Sequence, residues 1–119
     1  MTTPEGRVKA TVRTLLNGYP GLFQYWPVPS GYGHTTLDIL GCYRGQFFCI
    51  ETKATGKKPT LRQTTLLNGI ERAMGKTFVI AGIQSPVLDE LRQWLNNLTE
   101  TIDDDPHISP DQVDRRSIP

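Results

Sequence analysis

Thr35-Thr36-Leu37-Asp38-Ile39-Leu40-Gly41-Cys42-Tyr43 and Gln46-Phe47-Phe48-Cys49-Ile50-Glu51-Thr52-Lys53 are two apolar and β-branched runs with Arg44-Gly45 alone between them. That pattern predicts a hairpin. If Arg44-Gly45 is a two-residue turn, residues whose numbers sum to 89 lie opposite each other, which sets Asp38 against Glu51. Side chains alternate along a strand, so Lys53 falls on the face of Glu51, one step further along. Three ionisable groups then converge on one patch of an otherwise apolar hairpin.

Two carboxylates directly opposite on a sheet repel, and burying part of that charge unpaired costs roughly several kcal/mol. Something positive belongs there. Lys53 could serve alone in a solvated ion-pair ladder worth under about 1 kcal/mol. Alternatively, two hard oxygen ligands with room for water describe a Mg²⁺ or Mn²⁺ site. The apolar flanks favour the second reading, a metal-dependent site for phosphodiester cleavage.

The chain has 119 residues, enough for one core and too few for two. No apolar run reaches the length of a membrane span, and Met1-Thr2-Thr3-Pro4-Glu5 lacks the marks of a secretory signal, so a reducing cytoplasm is expected. Cys42 and Cys49 form a diagonal pair in the hairpin register, about 7–8 Å apart and beyond disulfide reach. They read as core residues. Residues 1–76 hold ten Lys or Arg against four acids, whereas residues 77–119 hold three against eight, so a net charge of +1 hides a basic part at +6 and an acidic part at −5. A basic surface around a divalent-metal site points to a polyanionic substrate.

From Pro4 to about Leu16 the apolar positions Val8, Val12, Leu15 and Leu16 follow helical spacing, with Thr3 as N-cap and Pro4 at the first helical position. Glu5 shares that stripe. It is either a metal ligand aimed at the core or an acid favouring the helix N-terminus by about 0.3–1 kcal/mol. Leu22 to Val28 reads as a strand, with Pro27 demanding an edge or an end, and Tyr25 and Trp26 read as core. A turn-rich loop, Pro29 to His34, leads into the hairpin. Beyond it, Gly56-Lys57-Lys58-Pro59 is a basic loop, and Thr60-Leu61-Arg62-Gln63 has the form of a capping box. The helix it opens carries Leu66, Leu67, Ile70, Ala73 and Met74 as its apolar side and ends near Gly75. Lys76 to Gly82 predicts a buried strand. Ser85-Pro86 starts a last helix through Val87, Leu91, Trp94, Leu95 and Leu98. Residues 1–98 thus read as the folded domain, and residues 99–119, with Asp103-Asp104-Asp105, as an acidic, weakly structured tail.

Taken together, Asp38, Glu51-x-Lys53, the loop Ser30-Gly31-Tyr32-Gly33, and Lys58-Pro59-Thr60 followed by Gln63 resemble the PD-(D/E)xK nuclease superfamily. The chain is similar more narrowly to the stand-alone VRR-NUC nucleases of phages and bacteria, over residues 5 to 82. The resemblance implies an α/β fold of restriction-endonuclease-like type, an αβββαβ core with a mixed central sheet flanked by helices, here followed by a C-terminal helix. It implies Asp38 and Glu51 as ligands of Mg²⁺ or Mn²⁺, a backbone carbonyl from Thr52, and Lys53 near the attacking water. Related Holliday-junction resolvases bring an acid of the first helix to the metal, which maps to Glu5, and a loop serine near the scissile phosphate, which maps to Ser30. Leu37 departs from the family pattern, which has proline there.

Gln63 has two readings: the closing member of a capping box, or an amide on the face of Leu67 and Ile70 that points to the sheet edge bearing Lys53. Lys57, Lys58 and Arg62 are phosphate contacts or generic solvated charge, and Tyr32 and His34 are candidate substrate contacts in their loop. Nothing resembles a covalent nucleophile with a partnered base, nor an organic cofactor site. The expected activity is hydrolytic: a structure-selective DNA endonuclease, cutting Holliday junctions as a homodimer in a bacterial or phage-infected cell. The rivals are a monomeric flap- or nick-directed nuclease and a DNA-binding module of the same fold that does not cut.

Overall fold

The computed structural model describes residues 2–28 and 36–103. Helix α1, Pro4–Asn17, begins where the sequence predicts: Thr3 Oγ1 accepts the Gly6 N–H at 2.9 Å and proline occupies the first turn. Val8, Val12 and Leu16 are its buried stripe. Strand β1, Phe23–Tyr25, is shorter than the predicted Leu22–Val28. Pro27 has no N–H to pair, and the strand stops ahead of it at the sheet edge. Tyr25 is exposed, contrary to expectation, whereas Trp26 packs against the core.

Strands β2, Ile39–Tyr43, and β3, Gln46–Lys53, form the predicted hairpin in the predicted register, from Tyr43 opposite Gln46 to Ile39 opposite Ile50. Arg44 and Gly45 have φ of 53° and 81°, as a two-residue type I′ turn requires, and glycine at the second position relieves half the strain. A Cβ at Gly41 would collide with the Phe48 ring and the Phe23 carbonyl, so glycine lets Phe48 lie across the middle strand. Cys42 and Cys49 are both free thiols.

Helix α2, Leu61–Arg72, crosses over from β3 to strand β4, Lys76–Ala81, which pairs parallel to β3. Its capping box is formed on both sides. At its end the Met74 N–H donates to the Glu71 carbonyl and the Gly75 N–H to the Ile70 carbonyl, a Schellman arrangement with Met74 left-handed at φ 71°. The predicted apolar side of α2 is therefore narrower than expected. Leu67 is buried and Ile70 packs beside it, but Leu66 lies a hundred-degree step off that line and Met74 lies past the helix, 89% exposed. Strand β4 is the sheet's other edge, with Phe78 and Ile80 buried and the alternate residues only half-buried, rather than the fully buried strand expected.

Helix α3, Pro86–Asp103, opens with Ser85 Oγ accepting the Val87 N–H. It runs five residues past the predicted end at Leu98, where the Thr99 hydroxyl meets the Tyr43 hydroxyl at 2.6 Å. The result is a mixed α/β fold: a four-stranded sheet in the order β1-β2-β3-β4, antiparallel except for β3 and β4. The larger core joins α1 and α3 to one face through Val12, Phe48, Ile50, Ile80, Leu91 and Leu95, with Trp94 set edge-on to Phe48 and Phe78. The other face has Leu37, Cys49 and Leu67 under α2. No described helix is long and apolar enough to cross a membrane.

A carboxylate pair at the end of the hairpin

Strand β3 outruns β2 at the end away from the turn, and that overhang creates the site. One step beyond the Ile39–Ile50 pair, Asp38 stands opposite Glu51, as the register predicts. They meet through the backbone. The Asp38 backbone N–H donates to Glu51 Oε1 at 3.1 Å, and Asp38 Oδ2 accepts from the Thr52 N–H at 2.8 Å and the Thr52 hydroxyl at 2.6 Å. Each carboxylate thereby finishes the partner strand's hydrogen bonding where regular pairing ends. A residue's N–H and C=O leave an extended strand on the same side. The Thr52 carbonyl accordingly faces the Asp38 side, while Lys53 offers its carbonyl to the Gly82 N–H at 2.9 Å.

Glu51 is 2% exposed. Its Oε2 accepts from Lys53 Nζ at 3.3 Å and from Gln63 Nε2 at 2.5 Å. Even so, burial pushes its carboxyl up to about 7, with the Asp38 charge adding to the rise and Lys53 and the Asp38 N–H only partly opposing it. The Cys49 thiol, two residues back on the same face, is pushed up to about 12, chiefly by burial, which makes it an inert core group.

The two readings of Gln63 turn out to be one arrangement. Its Oε1 accepts the Thr60 N–H at 2.9 Å, closing the capping box, and this turns Nε2 toward Glu51. Lys57, Lys58 and Arg62 are exposed on the β3–α2 connection and the first turn of α2, in the segment between Lys53 and Gln63, which both touch Glu51. Ser30, Tyr32 and His34 lie outside the described residues.

Glu5 stands in the first turn of α1. Among the described residues no three acidic, His or Cys side chains gather in one place, so Glu5 does not join Asp38 and Glu51. What α1 brings is Lys9, whose Nζ lies 3.6 Å from Asp38 Oδ1. The sequence held a signal for it, since Lys9 is one helical turn from Glu5 on the face that recommended Glu5. The Thr52 donors were also missed; a threonine between two charged residues at a strand end was the available hint. Comparison with family models, with curated proteins and with solved structures finds no match to this chain.

Proposed function

We propose that this protein is a divalent-metal-dependent, structure-selective DNA endonuclease of the PD-(D/E)xK type, hydrolysing phosphodiester bonds of branched DNA such as Holliday junctions as a homodimer. The observation that carries this reading is Glu51. A glutamate almost wholly buried beside a second carboxylate, its carboxyl pushed up to about 7 despite a lysine at 3.3 Å, marks a place short of positive charge. The donors suit a hard cation: Asp38, Glu51 and the Thr52 carbonyl supply oxygen only. Mg²⁺ or Mn²⁺ held there would supply charge neutralisation at a phosphodiester and acidify a water.

The chain's own residues do the rest. Thr52 fixes the Asp38 carboxylate with two hydrogen bonds, and Gln63 fixes that of Glu51 while anchored in its cap. Lys53, held 3.3 Å from Glu51, orients the attacking water and stabilises the charge that grows on the phosphoryl oxygens. The exposed Lys57, Lys58 and Arg62 bind neighbouring phosphates. Dimerisation follows from the substrate: a four-way junction offers two symmetry-related strands, and one small domain offers one site.

The test is incubation with labelled four-way junction, flap and plain duplex DNA, in chelator and in Mg²⁺, Mn²⁺ or Ca²⁺. Cleavage should need Mg²⁺ or Mn²⁺ and respond poorly to Ca²⁺, which tolerates looser coordination. Asp38→Asn and Glu51→Gln should abolish it with folding retained. Lys53→Ala should slow turnover by about 3–4 kcal/mol, two to three orders of magnitude. Paired nicks on a junction by a sedimenting dimer would establish the resolvase form. Undiminished cutting in chelator, or none on any DNA, would overturn the proposal.

A further inference from the structure

The carboxylates have basic residues on two sides, and only one of those sides follows from the β3–α2 connection. On the other side Lys9 and Arg13 lie four residues apart on α1, hence on one face and roughly 6 Å apart along the axis. Lys9 points at Asp38. Arg13 lies over the Trp26 indole, its guanidinium carbon 4.2 Å from the ring centroid. Because Tyr25 pairs with Leu40, Trp26 sits at the same end of the sheet as Asp38, one strand over.

Arg13 is held rather than loose. The Trp26 ring N–H donates to Gln24 Oε1 at 2.9 Å, and Gln24 Nε2 donates to Asn17 Oδ1 at 2.8 Å, tying the indole back to the end of α1. No carboxylate among the described residues pairs with Arg13. Arg13 is exposed, and a guanidinium over an aromatic face can still present its N–H donors to a phosphate.

We propose that Arg13 on its Trp26 platform, together with Lys9, is a second nucleic-acid backbone track on the β1 side of the sheet. DNA would then run across the carboxylates between this track and Lys57, Lys58 and Arg62. The inference rests on the nuclease reading and adds residues that reading did not contain.

Anisotropy titrations of a fluorescent four-way junction in chelator, over a series of salt concentrations, measure binding without cutting. Each lost phosphate contact flattens the log–log salt dependence by about 0.9. Arg13→Gln should weaken binding about tenfold and flatten the slope by about that amount, as should Lys57→Gln on the opposite flank, with the double variant losing both. If Arg13→Gln lowers the melting temperature into the assay range, Arg13→Lys replaces it: weaker binding at an unchanged slope supports the track. Wild-type protein that binds no DNA would sink the nuclease reading and this inference together. Binding that responds to Lys57→Gln but not to either Arg13 variant overturns the track alone.

Discussion

The two faces of the sheet are built differently. Among the described residues, the cluster that α1 and α3 make with the sheet has twelve buried residues, mostly Leu, Ile, Val and Phe; the cluster on the α2 side has three, Leu37, Cys49 and Leu67. Glu51 belongs to the thin side, reached from α2 by Gln63. A buried carboxylate near a second one is a liability, and a thick core on the opposite face is what lets the fold carry it. Strand β3 serves both sides with fully buried residues: its Phe48 and Ile50 fill the large core, while its Cys49 and Glu51 face the small one.

Truncation on each face is the most direct way to break this comparison. Phe48→Ala should cost about 3–5 kcal/mol, because a fully buried ring leaves contacts to Trp94 and Gly41 unfilled. Denaturant unfolding measures it. Equal losses for Phe48→Ala and Leu67→Ala would refute the contrast between the faces.

Titration tests the burden on the thin side. Glu51 binds its proton more tightly in the folded chain, so the folded state is penalised once that proton must leave. The penalty is absent below about pH 4.5, grows as pH rises, and is complete above about 7. Wild-type stability should fall by about 3 kcal/mol more than that of Glu51→Gln across this window. Mg²⁺ at a hundred times its Kd should return about 2.7 kcal/mol at pH 8 and far less at pH 5, where the proton competes. Parallel pH profiles for the two proteins would show that Glu51 is not under strain.

Smaller effects sharpen the picture. Leu67→Ala should cost about 2 kcal/mol, near the low end for its type, since its cluster is small and can close around the gap. Gln63→Ala should cost about 1 kcal/mol from the lost cap and also slow cleavage, because one amide does both tasks. A thermal effect with unchanged turnover would leave Gln63 a cap and nothing more.

What the sequence showed and what it hid divides along the range of the interactions. The Asp38–Glu51 opposition was legible because a two-residue turn fixes the register of everything beyond it. The caps at Thr3 and Thr60 were legible for the same local reason. Lys9 in place of Glu5 was not, since which turn of α1 meets Asp38 depends on how the helix lies across the sheet, and no periodicity encodes that angle. The edge position of β4 and the extra turns of α3 also depend on tertiary contacts, the latter on the meeting of Tyr43 and Thr99.

The Arg44-Gly45 turn has a consequence for the order of folding. Closing a two-residue loop is the least demanding contact this chain can make, whereas the parallel pairing of β3 with β4 must wait for all of α2 to be traversed. Asp38 and Glu51 therefore face each other as soon as the hairpin zips, with Lys53 the one cation of the hairpin beside them before Gln63 and Lys9 arrive from the helices. Substitutions in the turn should slow refolding with φ-values near one, those at Gln63 should chiefly speed unfolding, and Glu51→Gln should make the hairpin close faster than in the natural chain.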